Sequence, residues 1–312
     1  MRLLRRSWLV LCCASLVIAA GGGFARAAFP GENGRIAFAR ARAHEGLPRI
    51  WTAGKHGNNV ERLMARNGTN PAWSPDGSKI VFEHGLTGAQ TGTVQLIVTD
   101  DDGNKTHIAL TAEGIGNASW APNGTRLVFE SGNGIAVVGS HGEDPRPIAT
   151  PKGFGEFLAP EWSPDGSRIA FERCHAGSCE VWTVDPDGRD LRRVTNGPMD
   201  LAPDWSPDGR RLVFVRSSSS TESDLFLIGR NGSREIQLTS TAEAEKDPAF
   251  SPNGRQVIFS KCCFGDSMTA ELFTMPLSGG QPTAARQITS NEAQDSLPSW
   301  GSFPHGLTES TG

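Results

Sequence analysis

Seven residues just ahead of a recurring aromatic position carry the groups from which a binding site could be built: Asn70, Asn117, Glu161, Asp200, Asp204, Asp247 and Asp295. The aromatic that follows is Trp73, Trp120, Trp162, Trp205, Phe250 or Trp300. Carboxylates and amides gathered in one confined opening would attract a cation or a basic peptide segment, because low-dielectric walls focus their field. The spacing therefore points to binding chemistry, with these residues expected at one mouth of a central channel.

Other residues with chemical potential do not assemble into a known pattern. Asp100-Asp-Asp-Gly103 and Asp185-Pro-Asp-Gly188 have an acidic look. A calcium loop of the EF-hand kind needs glycine at its sixth place and glutamate at its twelfth, whereas here glycine comes fourth; both segments read as tight turns. The seven histidines, among them His44, His84, His107, His141 and His305, are not spaced as a metal pair, so no metal is expected. A Gly-x-Ser-x-Gly nucleophile turn does not occur in the sequence, and no Cys sits in a recognisable nucleophile context. No catalytic residue and no cofactor are assigned.

These residues must be positioned by a repeat. The phrase Asn70-Pro-Ala-Trp-Ser-Pro-Asp-Gly-Ser-Lys-Ile-Val-Phe82 returns around Trp120, Trp162, Trp205 and Phe250, and a partial copy ends at Trp300. The aromatic positions are 47, 42, 43, 45 and 50 residues apart, the period of one four-stranded propeller blade. In each copy a short strand ends at the aromatic residue. Pro75, Asp76 and Gly77 supply turn chemistry, and a second, apolar strand follows. Five full units result. Ahead of them, Asn33-Gly34 and Ile36-Ala37-Phe38 match the turn and second strand but lack the tryptophan strand. Behind them, Leu297-Pro-Ser-Trp300 supplies that strand alone. Joining the two remnants predicts a sixth unit and no open sheet edge. The expected fold is all-β, a six-bladed propeller over residues 28–304, with 305–312 a flexible tail. The tryptophans are expected as packing between blades.

The first residues read as a targeting segment. Arg2, Arg5 and Arg6 precede an apolar run of 13 residues, Trp8–Ala20, and Ala25-Arg26-Ala27 resembles a cleavage site. Residues 1–27 are thus expected to be a signal peptide, and the mature chain to be periplasmic or secreted, without stable membrane insertion. Without Arg2, Arg5, Arg6 and Arg26, the 30 basic residues become 26 against 34 acidic, a net charge of −8. That charge argues against nucleic acid. Cys174 and Cys179 flank a short loop between two apolar runs, and an oxidising compartment predicts a disulfide between them. The state of neighbouring Cys262 and Cys263 stays open.

The Trp-Ser-Pro-Asp-Gly phrase, with Asp185-Pro-Asp-Gly188 and Val194-Thr195 after it, resembles the WD40-like repeat of TolB-type propellers. The resemblance covers essentially all of the chain after residue 27. It implies an exported, non-enzymatic scaffold that binds a protein or peptide at the cell envelope, expected to be a monomer. Two departures bear on role. TolB-type proteins carry a small α/β domain ahead of the propeller, and peptidase relatives carry a hydrolase domain behind it; the sequence matches the propeller portion only. Two other roles follow from the same repeat: an accessory propeller for a separate hydrolase or peptidase, and a hydrolase or lyase with its active site at the channel mouth.

Overall fold

The structure is a computed structural model that describes residues 28–42, 46–86, 92–152, 155–219, 222–262 and 269–303. The signal-peptide expectation for 1–27, the tail expectation for 305–312, Cys263, His44 and His305 fall outside the described residues.

Among the described residues every element is a β-strand, and the strands follow the repeat. The first are β1 (Asn33–Ala41), β2 (Arg49–Ala53) and β3 (Glu61–Asn67). The next four are β4 (Thr69–Trp73), β5 (Lys79–Gly85), β6 (Thr93–Asp100) and β7 (Thr106–Glu113). Then come β8 (Ile115–Trp120), β9 (Arg126–Ser131), β10 (Gly134–Gly139) and β11 (Arg146–Ala149). They are followed by β12 (Glu156–Trp162), β13 (Ile169–His175), β14 (Ser178–Val184) and β15 (Arg192–Arg193). Next are β16 (Asp200–Trp205), β17 (Arg211–Ser217), β18 (Ser223–Gly229) and β19 (Ile236–Gln237). The chain continues through β20 (Ala244–Phe250), β21 (Gln256–Cys262), β22 (Ala270–Ser278), β23 (Gln281–Pro282) and β24 (Arg286–Gln287). It finishes in β25 (Gln294–Ser302).

Four sheets have four strands each, and one of them runs β25-β1-β2-β3. In it Ile36 pairs with Trp300 and Arg40 with Asp295, antiparallel. The strands β16 to β24 form one larger sheet; its two halves are joined in the ladder by a parallel bridge between Ser223 and Ala244, beside which Ser223 Oγ–H donates to the Glu245 carbonyl at 2.8 Å. The first strand of each unit touches the next, in the order β4, β8, β12, β16, β20, β25 and back to β4.

The turn after each aromatic residue is built locally. Ser74 Oγ donates to Asp76 Oδ1 at 2.6 Å and accepts from the Lys79 N–H at 2.9 Å, while the Ser78 N–H donates to Asp76 at 3.1 Å. Gly77 closes the turn at φ 69°, where its Cα lies too near the Ser302 carbonyl for any Cβ. Ser163/Asp165, Ser206/Asp208 and Ser251/Asn253 repeat the arrangement.

The tryptophans are packed between sheets. Trp120 and Trp205 are fully buried. Their Nε1–H groups donate to the carbonyls of Ala72 and Glu161 in the preceding unit, at 3.1 and 3.2 Å. An aromatic ring whose one polar atom finds a partner can be buried whole.

The outer strands of the later units are shorter than the sequence predicts. Five-residue strands are expected at 191–195, 235–239 and 285–289; β15, β19 and β24 have two residues each. A side chain takes over the ladder. The hydroxyls of Thr195, Thr239 and Thr289 accept the N–H groups of Val181, Leu225 and Leu272 at 3.0, 2.8 and 2.9 Å. That repeated contact gives the Val/Leu/Ile-Thr pair its place in the motif. The short hairpin β22–β23, turning at Gly279-Gly280, is an addition the repeat does not foretell.

Candidate functional site

The seven expected site residues all lie on the first strands or at their start, and all are buried, from 0% exposed for Asp200, Asp204 and Asp295 to 7% for Asn70. They do not form one ring. Three levels separate along the strand, five, three and one residues before the aromatic position, and each level has its own partners.

At the outermost level are two ion pairs. Asp295 receives Arg40 Nε and Nη2 at 2.6 and 2.7 Å. Asp200 receives Arg216 Nε and Nη2 at 2.6 and 3.1 Å. Each arginine stands directly across the ladder from its aspartate, and two-pronged geometry makes such pairs strong. In the intervening unit Glu245 and Lys261 occupy the same two places, 3.5 Å apart.

The middle level is the unusual one. Asn70, Asn117, Ala159, Ala202, Asp247 and Leu297 all have positive φ, between 46° and 59°. The ladder slips at each of these points, and in five of the six a proline follows. Left-handed backbone at non-glycine residues costs about 1–3 kcal/mol each and persists only where surroundings hold it. At four of the six the preceding unit holds it. Glu83 accepts the Asn117 N–H, and Glu130 accepts the Ala159 N–H at 2.7 Å. Glu172 accepts the Ala202 N–H at 2.6 Å, and Asp247 accepts the Leu297 N–H at 3.3 Å. The amides of Asn70 and Asn117 also donate to Glu83 and Glu130, at 2.8 and 2.7 Å.

The innermost level links neighbours again. Asp204 accepts the Phe250 N–H at 2.6 Å, and Ser299 accepts the Trp73 N–H at 3.3 Å. Glu161 accepts Ser119 Oγ–H at 2.7 Å.

Burial dominates the electrostatics. It raises Glu172 to about 8, with the Glu130 carboxylate adding to the rise and the Ala202 N–H opposing it. It raises Asp247 to about 6 against the pull of Ser260 and the Leu297 N–H. Asp204 is held well above the usual carboxylate range by burial and then by Glu161. Glu172 therefore holds its proton at neutral pH unless a cation joins it, whereas Asp247 has largely released its own.

Glu83, Glu130 and Glu172 are absent from the sequence-based set. The readable signal was the dipeptide Phe-Glu at the end of the second strand in three consecutive units. It looks like an apolar strand reaching solvent, because nothing local shows that the glutamate meets the next unit.

Cys174 and Cys179 face each other across β13 and β14 and form the expected disulfide. Among the described residues, one group of three possible metal ligands comes together, Glu172 with Cys174 and Cys179, and its two sulfurs are bonded to each other. His84 and His107 are engaged with the carbonyls of Asn67 and Ser140, both at 2.9 Å. No helix of the described residues is long and apolar enough to cross a membrane.

Comparison with known proteins agrees with the all-β fold. A TolB homologue of Chlorobium luteolum is 28% identical over 124 residues, which is 40% of this chain and only 27% of the length of that relative. Among solved structures, TolB from Acinetobacter baumannii superposes with a TM-score of 0.72 at 22% identity, over 87% of this chain and 68% of that one. Oligogalacturonate lyase from Vibrio parahaemolyticus superposes with a TM-score of 0.53 at 13% identity, over 83% and 92%. Those two likenesses show an all-β propeller fold. The TolB beta propeller domain matches residues 135–306, more than half of the sequence, and with the repeated turn and inter-unit contacts in place, the chain belongs to that family.

Proposed function

We propose that this chain is an exported, non-enzymatic propeller that binds a protein or peptide partner at the cell envelope, as a monomer. In this reading residues 1–27 are removed as a signal peptide, and 28–304 form a closed ring of six blades. The cyclic contacts of the first strands and the β25–β1 pairing support the ring. The observation that carries the binding role is the middle carboxylate level. Glu83, Glu130, Glu172 and Asp247 sit where consecutive first strands meet, on the end at which those strands begin. Glu83 and Glu130 are only half-buried, so a basic segment entering from that end would reach them before any other carboxylate of the level. A positive group there would draw the proton from Glu172 and gain a charge partner.

Asn70, Asn117, Glu161, Asp200, Asp204, Asp247 and Asp295 take part as the frame of this end. Asp247 and the two asparagines line it; the others hold the strands that form it. Immobilised mature protein should retain one or a few proteins from envelope extract. Glu83→Gln with Asp247→Asn should release them while the melting temperature stays within a few degrees. Undiminished retention by that double variant would remove the site from consideration. The lyase likeness keeps an enzymatic reading open at the level of fold alone. Hydrolysis or lyase turnover of any substrate that fails on Glu83→Gln would replace the scaffold reading.

A further inference from the structure

The end opposite the carboxylate level has the reverse character. First strands run away from that level towards the Ser-Pro-Asp-Gly turns, so the turns and the loops after the third strands share the far end. There a cavity of about 810 Å³ opens between the units of β16–β19 and β20–β24. Arg210, Arg211, Arg230 and Arg234 line it, against the single carboxylate Asp208. Arg230 and Asn231 also line a second cavity, of about 390 Å³, with Arg168, Asp185, Arg192 and Arg193; there Arg168 is paired with Asp185, Arg192 with Asp190 and Arg193 with Glu180. The two cavities are therefore neighbours along one groove whose excess positive charge lies in the larger cavity, on a chain with more acidic than basic residues.

Three of the four arginines of the larger cavity have no carboxylate within ion-pair distance among the described residues, and one of these, Arg211, lies over the Phe250 ring at 6.0 Å. Arg230 reaches Asp165 at 3.3 Å, but Arg210, Arg211 and Arg234 make no ion pair among the described residues. Asp208, exposed like Arg210, accepts Ser206 Oγ–H at 2.6 Å and the Arg210 N–H at 3.0 Å; its charge interacts with Arg211 and Arg210, which leaves one carboxylate against an excess of arginines in the cavity. Arg210 and Arg234 are exposed. Surface arginines left beside one another repel, and a fold tolerates them most readily where an anion joins them. All the cations are arginine, whose planar fork matches sulfate, phosphate and carboxylate oxygens two at a time.

We propose that this groove binds an anionic polysaccharide, with its oxyanion groups on Arg210, Arg211 and Arg234 and its chain running past Arg230 into the second cavity. Each cavity has the volume of a small-ligand site. The lining offers no exposed aromatic face for stacking bases, Trp205 being fully buried, and stacking is what single-stranded nucleic acid requires. The outer strands at the groove, β15 and β19, have two residues each, too short an edge for pairing with an extended acidic peptide. Sugar hydroxyls, by contrast, can be met by Asn231 and Ser233 on the same rim.

The test uses the mature chain at low salt, titrated calorimetrically with a sulfated heparin octasaccharide and with an oligouronide of equal length. An octaglutamate peptide and a thymidine octanucleotide are the other two arms. At least one oligosaccharide should bind, with affinity falling steeply as salt rises. Arg210→Glu with Arg234→Glu should weaken it tenfold or more without changing the melting temperature. Glu83→Gln with Asp247→Asn should leave it unchanged, which separates this groove from the carboxylate end. Whether the sulfated or the uronic chain binds tells sulfate from carboxylate recognition. Absence of binding by both saccharides overturns the proposal. So does equal affinity of the arginine double variant, or tighter binding of the peptide or oligonucleotide.

Discussion

Glu172 is the residue on which burial acts most legibly. It is 1% exposed, and its carboxyl is raised to about 8 from an ordinary 4.5 by burial, then by Glu130. Between those two values the folded chain holds a proton that the unfolded chain has released. Stability contributed by this group is therefore complete below about pH 4.5 and is lost as pH rises through about 8. The linked loss is on the order of 5 kcal/mol. Asp247, raised to about 6, adds a smaller loss between its ordinary 3.8 and 6. Glu172→Gln keeps an acceptor for the Ala202 N–H and cannot ionise. Urea denaturation from pH 5 to 9 should show the natural chain weakening towards high pH more steeply than the variant, which keeps the raised carboxyls of Asp204 and Asp247. Parallel slopes would mean that Glu172 is ionised in the folded protein. At this scale the sequence was half readable. Asp247 and Asn117 were visible as polar residues before the aromatic position. Their left-handed backbone was not, since Ala159, Ala202 and Leu297 adopt it too and none of the three is a residue type that favours it.

Elements were more legible than sites because the turns are local. Ser74, Asp76 and Gly77 make their contacts within five residues of each other, so the repeat could be read without knowing what packs above it. The second strands follow for the same reason: Ile80-Val81-Phe82 and its copies are fully buried apolar runs. The outer strands were overestimated because they contribute one anchoring side chain each, Val194 or Leu238, and then yield to a threonine hydroxyl. The β13–β14 hairpin illustrates how much a local device can add. Its disulfide joins residues five apart, and closing so small a loop stabilises by only about 2 kcal/mol in the chain-entropy picture. Cys174→Ala with Cys179→Ala should therefore remain folded, with the denaturation midpoint lowered by that amount, and reductant should move the natural chain equally and the variant not at all. A loss of all sheet structure would show that this hairpin nucleates its sheet.

The whole molecule depends on contacts that no local reading can rank. Arg40 and Asp295 lie 255 residues apart and meet in a buried two-pronged pair. The Phe303 N–H donates to the Glu32 carbonyl at 2.8 Å, and Ser302 Oγ–H to the Pro75 carbonyl at 2.9 Å. The segment that begins the fold is thereby sandwiched between β25 and its own hairpin. Arg40→Met would strand Asp295 as a buried unpaired charge, at a cost of about 3–5 kcal/mol, measurable as a lowered urea midpoint. A stronger test asks whether the order of the chain matters at all. If the first strands form a closed ring, linking residue 303 to residue 28 and opening new ends between β5 and β6 changes no inter-sheet contact. That permuted chain should fold as a monomer and melt within a few degrees of the natural one. Ending the natural chain before β25 removes the partner of β1 and the Ser299 acceptor for Trp73, exposing an edge that recruits other chains. Size-exclusion chromatography should then show aggregates. A truncated chain that stays monomeric with an unchanged melting temperature, or a permuted one that cannot fold, would mean the sheets stand as an open arc whose ends meet without need.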